Sequence, residues 1–176
     1  MFYKDEKLAI LIDGPNTFGA LKALEIDVDY KALKNEFARR GKLLRALYFT
    51  TVWETEDHSP VKPLIDWLEY NGYSVVSKPS KEFSDSEGRK RYKGSMDIEM
   101  AIHALRLAQH VEHIVIFSGN GDFTPLVAAL QDMGVRVSVA STLKTEFPMV
   151  SDDLRKQADN FIELQQLAEV ITRKPS

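Results

Sequence analysis

The chain is expected to fold as an α/β domain, with a mostly parallel sheet of five or six strands and helices on both faces. Three observations predict this. Short apolar runs rich in β-branched residues recur at residues 8–12, 43–50, 73–77, 113–117 and 135–140. Stretches with helical apolar spacing separate them. No linker and no internal repeat interrupts the alternation. Strands that alternate with helices are joined by right-handed crossovers, which return each strand parallel to the last. The 176 residues are read as one domain spanning residues 1–176, with its core at about 8–164.

Each element has a local reason. Residues 8–12 form a buried-strand pattern that ends in Asp13-Gly14-Pro15-Asn16. Asp29 caps a helix in which Tyr30, Leu33 and Phe37 share a face, and Gly41 stops it. The second strand follows. Ser59-Pro60 then reads as a cap with Pro at the first helical position, ahead of an apolar stripe of Leu64, Ile65 and Leu68. Gly72 ends that helix and the third strand begins. Residues 78–94 are polar and charged, with a turn signal at 84–88, and predict a long loop or a small projecting hairpin. A helix resumes near Ser95, with Met96, Met100, Ala104 and Leu107 on one face. The fourth strand, a helix opened by Thr124-Pro125 and closed by Gly134, and the fifth strand complete the alternation. Ser151 is placed as the cap of a short helix, residues 161–163 as an edge strand, and the tail after Leu164 as a helix that frays.

Bulk properties exclude several classes. The chain has no cysteine, so a disulfide scaffold, a zinc finger and a cysteine nucleophile are out, and a cytoplasmic location is expected. No apolar run approaches the roughly 20 residues that span a bilayer, and the first residues lack a signal-peptide layout. A net charge of −3 means that any nucleic-acid-binding surface must be local.

Sites in open parallel sheets form beyond the carboxyl ends of the strands, at a topological switch point. Asp13 follows the first strand, Asp122 follows the fourth in Ser118-Gly119-Asn120-Gly121-Asp122, and Asp97 opens the helix before it. All three are expected on one rim. Taken singly, Asp13 is equally a turn residue, Asp97 a favourable acid in a first helical turn, and Asp122 part of a helix entry. Together they predict a shared site. Two carboxylates about 4 Å apart repel by roughly 4 kcal/mol at an effective dielectric near 20, so a cation or a shared proton is needed. An oxygen-only donor set favours Mg²⁺ or Mn²⁺. Asn16 either binds water or metal or caps the segment that starts at Thr17. Ser118 is placed to orient a carboxylate. His110 and His113 are expected to be surface or helix-end residues rather than a zinc pair.

These motifs, Ile12-Asp13-Gly14-Pro15-Asn16, Lys93-Gly94-Ser95-Met96-Asp97 and Ser118 to Phe123, resemble those of the NYN domain in its LabA-like (DUF88) branch, within the PIN-like nuclease superfamily. The resemblance runs from about Leu8 to Leu164. It implies a Rossmann-like (PIN-like) fold and metal-dependent ribonuclease chemistry. Asp13, Asp97 and Asp122 would bind the Mg²⁺ or Mn²⁺, with Asn16 beside them in the catalytic set. Relatives often carry Asp where this chain has Asn120 and an acid where it has His103, so this pocket is less negative. Hydrolysis by water predicts a 5′-phosphate product. The expected substrate is single-stranded RNA, and a second copy of the chain is kept as a candidate partner. Lys93, Ser118, Asn120, Arg89, Lys90 and Arg91 are the expected substrate-binding residues, in a basic stretch with Lys78 and Lys81 that interleaves Phe83 and Tyr92. A solvated, soluble hairpin is the alternative reading of that stretch. Trp53 is a further stacking candidate. The competing function is a catalytically degenerate module that binds RNA or a protein partner. An aspartyl-phosphate enzyme is disfavoured, because Pro15 stands where a second Asp is needed.

Overall fold

The computed structural model describes residues 1–53 and 59–176; for Trp53, Tyr92 and Lys93 it describes the backbone alone. The roles expected of those three side chains therefore lie outside the described residues.

β1 (Lys7–Asp13) is the middle of the architecture. Its alternation splits the core. Leu8, Ile10 and Ile12 enter one apolar cluster, and Ala9 and Leu11 enter another on the opposite face. β2 (Lys42–Trp53) pairs with β1 on one side and β5 (His113–Phe117) on the other, both parallel. β3 (Ser74–Ser84) and β6 (Arg136–Ser141) extend the sheet outward from these, and β7 (Asn160–Glu163) pairs with β6, again parallel. β4 (Lys90–Lys93) pairs antiparallel with the far end of β3. Among the described residues the sheet has seven strands, in the order β4-β3-β2-β1-β5-β6-β7.

That count corrects the expectation of five or six. The extra strand is β4, whose sequence Lys-Arg-Tyr-Lys has no apolar alternation to announce it. β3 overshoots the end of β2, turns, and returns as β4, so residues 78–94 form the projecting hairpin. The return delivers the chain back to the carboxyl rim of the sheet.

Helices cover both faces. α1 (Gly14–Ala23), α2 (Tyr30–Arg40), α3 (Lys62–Tyr70) and α7 (Leu164–Ile171) contribute to the cluster that holds Ile10. α4 (Asp97–Leu107), α5 (Thr124–Asp132) and α6 (Asp152–Gln157) contribute to the cluster that holds Leu11. Asp29 caps α2 as expected, its Oδ1 accepting from the N–H groups of Lys31 at 2.9 Å and Ala32 at 3.1 Å. Ser151 occupies the cap position of α6 without making a side-chain capping bond. α3 begins later than the Ser59-Pro60 signal implied: Val61 is its cap residue and Pro63 stands in its first turn. α1 begins at Gly14 with Asp13 at its cap position, three residues ahead of the segment from Thr17 that Asn16 was offered to cap. Gly14 is required there, since a Cβ would meet the Phe49 carbonyl at 2.7 Å and the Tyr48 ring at 2.8 Å. Among the described residues no helix is long and apolar enough to cross a membrane.

Candidate functional site

The strand order reverses between β1 and β5. From β1 the chain builds outward through β2 and β3, and from β5 outward through β6 and β7. The carboxyl ends of β1 and β5 therefore open a crevice at the switch point. Ile12 and Phe117 are register partners across it. Asp13 continues the alternation of Ala9 and Leu11, and Ser118 that of Ile114 and Ile116, so both belong to the face that α4 covers.

Asp13 terminates β1 and stands at the N-cap of α1, half-buried and without a side-chain capping bond. Ser118 Oγ donates to Asp13 Oδ2 at 3.1 Å. Burial pushes the Asp13 carboxyl above the usual carboxylate range, and the negative charge of Asp97 pushes the same way. The Ser118 hydroxyl and the Asn16 backbone offset this only in part. Asp97 is the first residue of α4, and its backbone N–H donates to Ser95 Oγ at 3.1 Å. Asn120 Nδ2 donates to Asp97 Oδ2 at 3.2 Å. The Asn120 N–H donates to Ser118 Oγ at 3.2 Å, so one hydroxyl ties the two strand-end motifs together. Asn16 Oδ1 accepts from the Gly119 N–H at 3.0 Å. Asn16 thus fastens α1 to the loop after β5 and does not cap its own helix.

These groups border a cleft of about 270 Å³ lined by Asp13, Pro15, Asn16, Thr51, Gly94, Ser95, Met96, Asp97 and Asn120. Thr51 was not anticipated. It lies two residues beyond Phe49, the register partner of Asp13, and the neighbouring strand end was the signal for it. Asp122 is not among the lining residues. It is exposed in the single 3₁₀ turn Gly121–Phe123, where Asn120 Oδ1 accepts its N–H at 3.0 Å. Among the described residues no three His, Asp or Glu side chains stand grouped to hold a metal. What the cleft offers is two carboxylates, one of them half-buried and strained by the other's charge. That donor set suits a single hard cation that keeps several of its own waters, as Mg²⁺ does.

The other expected binding residues, Arg89, Lys90, Arg91 and Lys93, belong to the hairpin and are not among the residues that line the cleft. Arg89 Nε and Arg91 Nε both donate to Asp85 Oδ2, at 3.2 and 3.0 Å, and Arg89 also pairs with Glu87. Lys90 pairs with Glu82 at 3.1 Å. Lys78 pairs with Glu99 of α4 at 2.8 Å. Arg89, Lys90 and Arg91 are exposed but engaged by the hairpin's own acids, and in sequence Lys78, Lys81, Arg89, Lys90, Arg91 and Lys93 outnumber Glu82, Asp85 and Glu87. His103 stands apart from the cleft, edge-on to the Phe49 ring with centroids 5.6 Å apart.

His113 is a correction. It is fully buried at the start of β5, at the opposite rim, whereas His110 is exposed as expected. Its partners, Glu6 and Ser138, are distant in sequence, so local pattern gave no sign of the burial.

The model of the NYN domain matches residues 7–165. The chain is 30% identical to the low amplitude and bright protein LabA of Synechococcus elongatus over 177 aligned residues, covering 98% of this chain and 91% of LabA. A solved structure of a protein of unknown function from Vibrio parahaemolyticus superposes with a TM-score of 0.74 at 23% identity, covering 93% of this chain and 96% of the other. At that identity the likeness speaks to the fold.

Proposed function

Since the chain belongs to the NYN domain family, within the PIN-like nuclease superfamily, we propose that it is a divalent-metal-dependent endoribonuclease acting on single-stranded RNA in the cytoplasm. The observation that carries this reading is the Asp13–Asp97 pair at the switch-point cleft. Two acids are held together there, and Asp13 stays close to its neighbour's charge despite the cost that burial adds.

In this reading Asp13 and Asp97 hold one Mg²⁺ or Mn²⁺. Such an ion, when bound, supplies a Lewis acid that polarises water and offsets charge on a phosphate. The chain's residues set up that chemistry. Ser118 fixes the rotamer of Asp13, and Asn120 fixes that of Asp97. Asn16 holds the Gly119 backbone against α1, which keeps the two strand ends in register. Asp122, exposed beside Asn120 in the turn after β5, would be the third carboxylate available to such an ion. Arg89, Lys90 and Arg91 receive the RNA backbone by exchanging their own acids for phosphates, with Lys93 following them in sequence.

The test is incubation of end-labelled single-stranded RNA with Mn²⁺ and either the wild-type protein or Asp97→Asn. Cleavage by wild type alone, leaving 5′-phosphate ends, is the expected result. Equal cleavage by both proteins means a contaminant and removes the enzyme reading. A second reading, a binding module without turnover, is favoured by one observation: the Asn120 amide already occupies Asp97 Oδ2. RNA binding without cleavage would support it.

A further inference from the structure

We propose that Glu6, His113, Ser138 and Asn160 form a proton-sensitive latch at the amino rim of the sheet, which holds residues 1–6 in place at neutral pH and releases them on acidification. The inference is independent of the acidic cleft at the other rim.

The polarity of the hydrogen bonds carries the argument. Arg136 Nη1 donates to both Glu6 carboxylate oxygens, at 2.7 and 3.0 Å, so Glu6 is an acceptor. His113 Nδ1 lies 3.2 Å from Glu6 Oε2 and therefore carries the proton. Nε2 of the neutral ring is then an acceptor, and Ser138 Oγ donates to it at 2.7 Å. Ser138 Oγ in turn accepts from Asn160 Nδ2 at 3.4 Å, and Asn160 Oδ1 accepts from the Met1 amino group at 3.0 Å. Every donor in this chain has an acceptor.

A second proton on His113 breaks it. Nε2 becomes a donor and Ser138 Oγ, which still accepts from the Asn160 amide, must accept from it too, so the Ser138 hydroxyl proton loses the acceptor it had. Turning the Asn160 amide over relieves Ser138 but aims its NH₂ at the Met1 amino group. Either way one donor loses its acceptor, and Ser138 and His113 are fully buried, where an unpaired donor is costly. Burial itself holds the imidazole below its ordinary range, Glu6 pulling it up and Arg136 and the Met1 amino group pushing it down. The remaining charges nearby are already engaged. Arg40 of α2 lies over the far side of the Phe2 ring at 5.1 Å and pairs with Glu36, while Glu112 accepts from the Lys7 N–H at 2.6 Å.

Residues 1–6 lie against this chain of bonds and are also held by Arg136, which donates to the Met1 carbonyl and lies over the Tyr3 ring. Phe2 covers the His113 ring, with centroids 4.7 Å apart, and rests on Phe37 at 5.8 Å. A cleft of about 560 Å³ lined in part by Met1, Phe2, Arg40 and Asn160 brings solvent beside this seal. Release uncovers Phe2 and the apolar cluster between the sheet and α2.

The test follows the His113 ring by NMR and the exchange of the Glu6 and Lys42 amides, from about pH 7.5 to about pH 4.5. Those amides bond to Tyr3 and Glu6 carbonyls at 3.1 and 2.9 Å and report on the segment directly. After correction for intrinsic exchange, their protection is expected to fall at least about tenfold, with the midpoint of the His113 titration and below an ordinary histidine value of about 6.5. In His113→Gln the fall is absent. Retained protection while the ring titrates, a midpoint that differs from that of His113, or a pH response that survives in His113→Gln overturns the proposal. If His113→Gln does not fold, Phe2→Ala serves instead. It admits water to the ring and is expected to raise the His113 midpoint, and an unchanged midpoint overturns the proposal.

Discussion

Asp13 is where sequence, burial and the proposed function meet in one side chain. Its carboxyl is raised by burial and by the charge of Asp97, so the folded protein binds that proton more tightly than the unfolded chain does. The sign follows: ionised Asp13 costs stability at pH values above its folded pKa, and the cost fades as pH falls through that value. Asp13→Asn keeps an acceptor for Ser118 and removes the charge. In the absence of metal it is expected to be more stable than wild type at neutral pH by about 1 kcal/mol, or roughly 2–4 °C in Tm, while losing cleavage. The gap should close as pH falls. Calorimetry across that range checks it, and a less stable variant at neutral pH would show that the Asp13–Asp97 repulsion is already relieved. Asp13 was legible in the sequence because it closes a strand. Asp122 was legible as a residue of the rim, but its exposure beyond the cleft was not. The turn that Asn120 caps decides where Asp122 stands, and that geometry has no periodic signal.

At the scale of elements, the loop after β5 and the hairpin bear on the site in different ways. Gly119 admits no side chain, since a Cβ would lie 1.7 Å from the Met149 carbonyl oxygen, and its own carbonyl accepts from the Ser151 N–H at 3.0 Å. Gly119→Ala must push the segment before α6 away and drag Ser118 and Asn120 with it. A loss of about 1–3 kcal/mol in urea unfolding is expected, with cleavage lost too. Stability equal to wild type would mean that the approach is not needed. The hairpin's cations are expected to serve affinity instead. Arg89→Gln with Arg91→Gln should weaken binding of single-stranded RNA and reduce the slope of log K against log salt by about 1.4, at unchanged Tm, as read by fluorescence titration. An unchanged slope would return the hairpin to a solvated, soluble edge. The sequence marked this hairpin by its turn residues, but not β4 as a strand, because its charged residues carry no alternation. The start of α1 was missed for a related reason. Gly-Pro-Asn is a turn signal and also a helix start with Pro in the first turn, and only the packing of Thr17, Ala20 and Leu21 chooses between them.

In the whole molecule, the sheet separates two polar systems. The carboxyl rim gathers Asp13, Asn16, Ser118, Asp97 and Asn120 at the point where strand order reverses. The amino rim gathers Glu6, His113, Arg136, Ser138 and Asn160 under the Phe2 ring. The first was readable because parallel strands place their ends by rule, so residues that follow strands must be neighbours. The second was not, because its members come from four separate segments and each is locally ordinary. The proposed function rests on the first rim and requires that Asp13 and Asp97 together hold a divalent ion. A Mn²⁺ titration followed by electron paramagnetic resonance tests that claim without requiring turnover. The account predicts one bound ion per chain in the wild type and loss of that ion in both Asp13→Asn and Asp97→Asn. Undiminished Mn²⁺ binding by either variant, or none by the wild type, would contradict it.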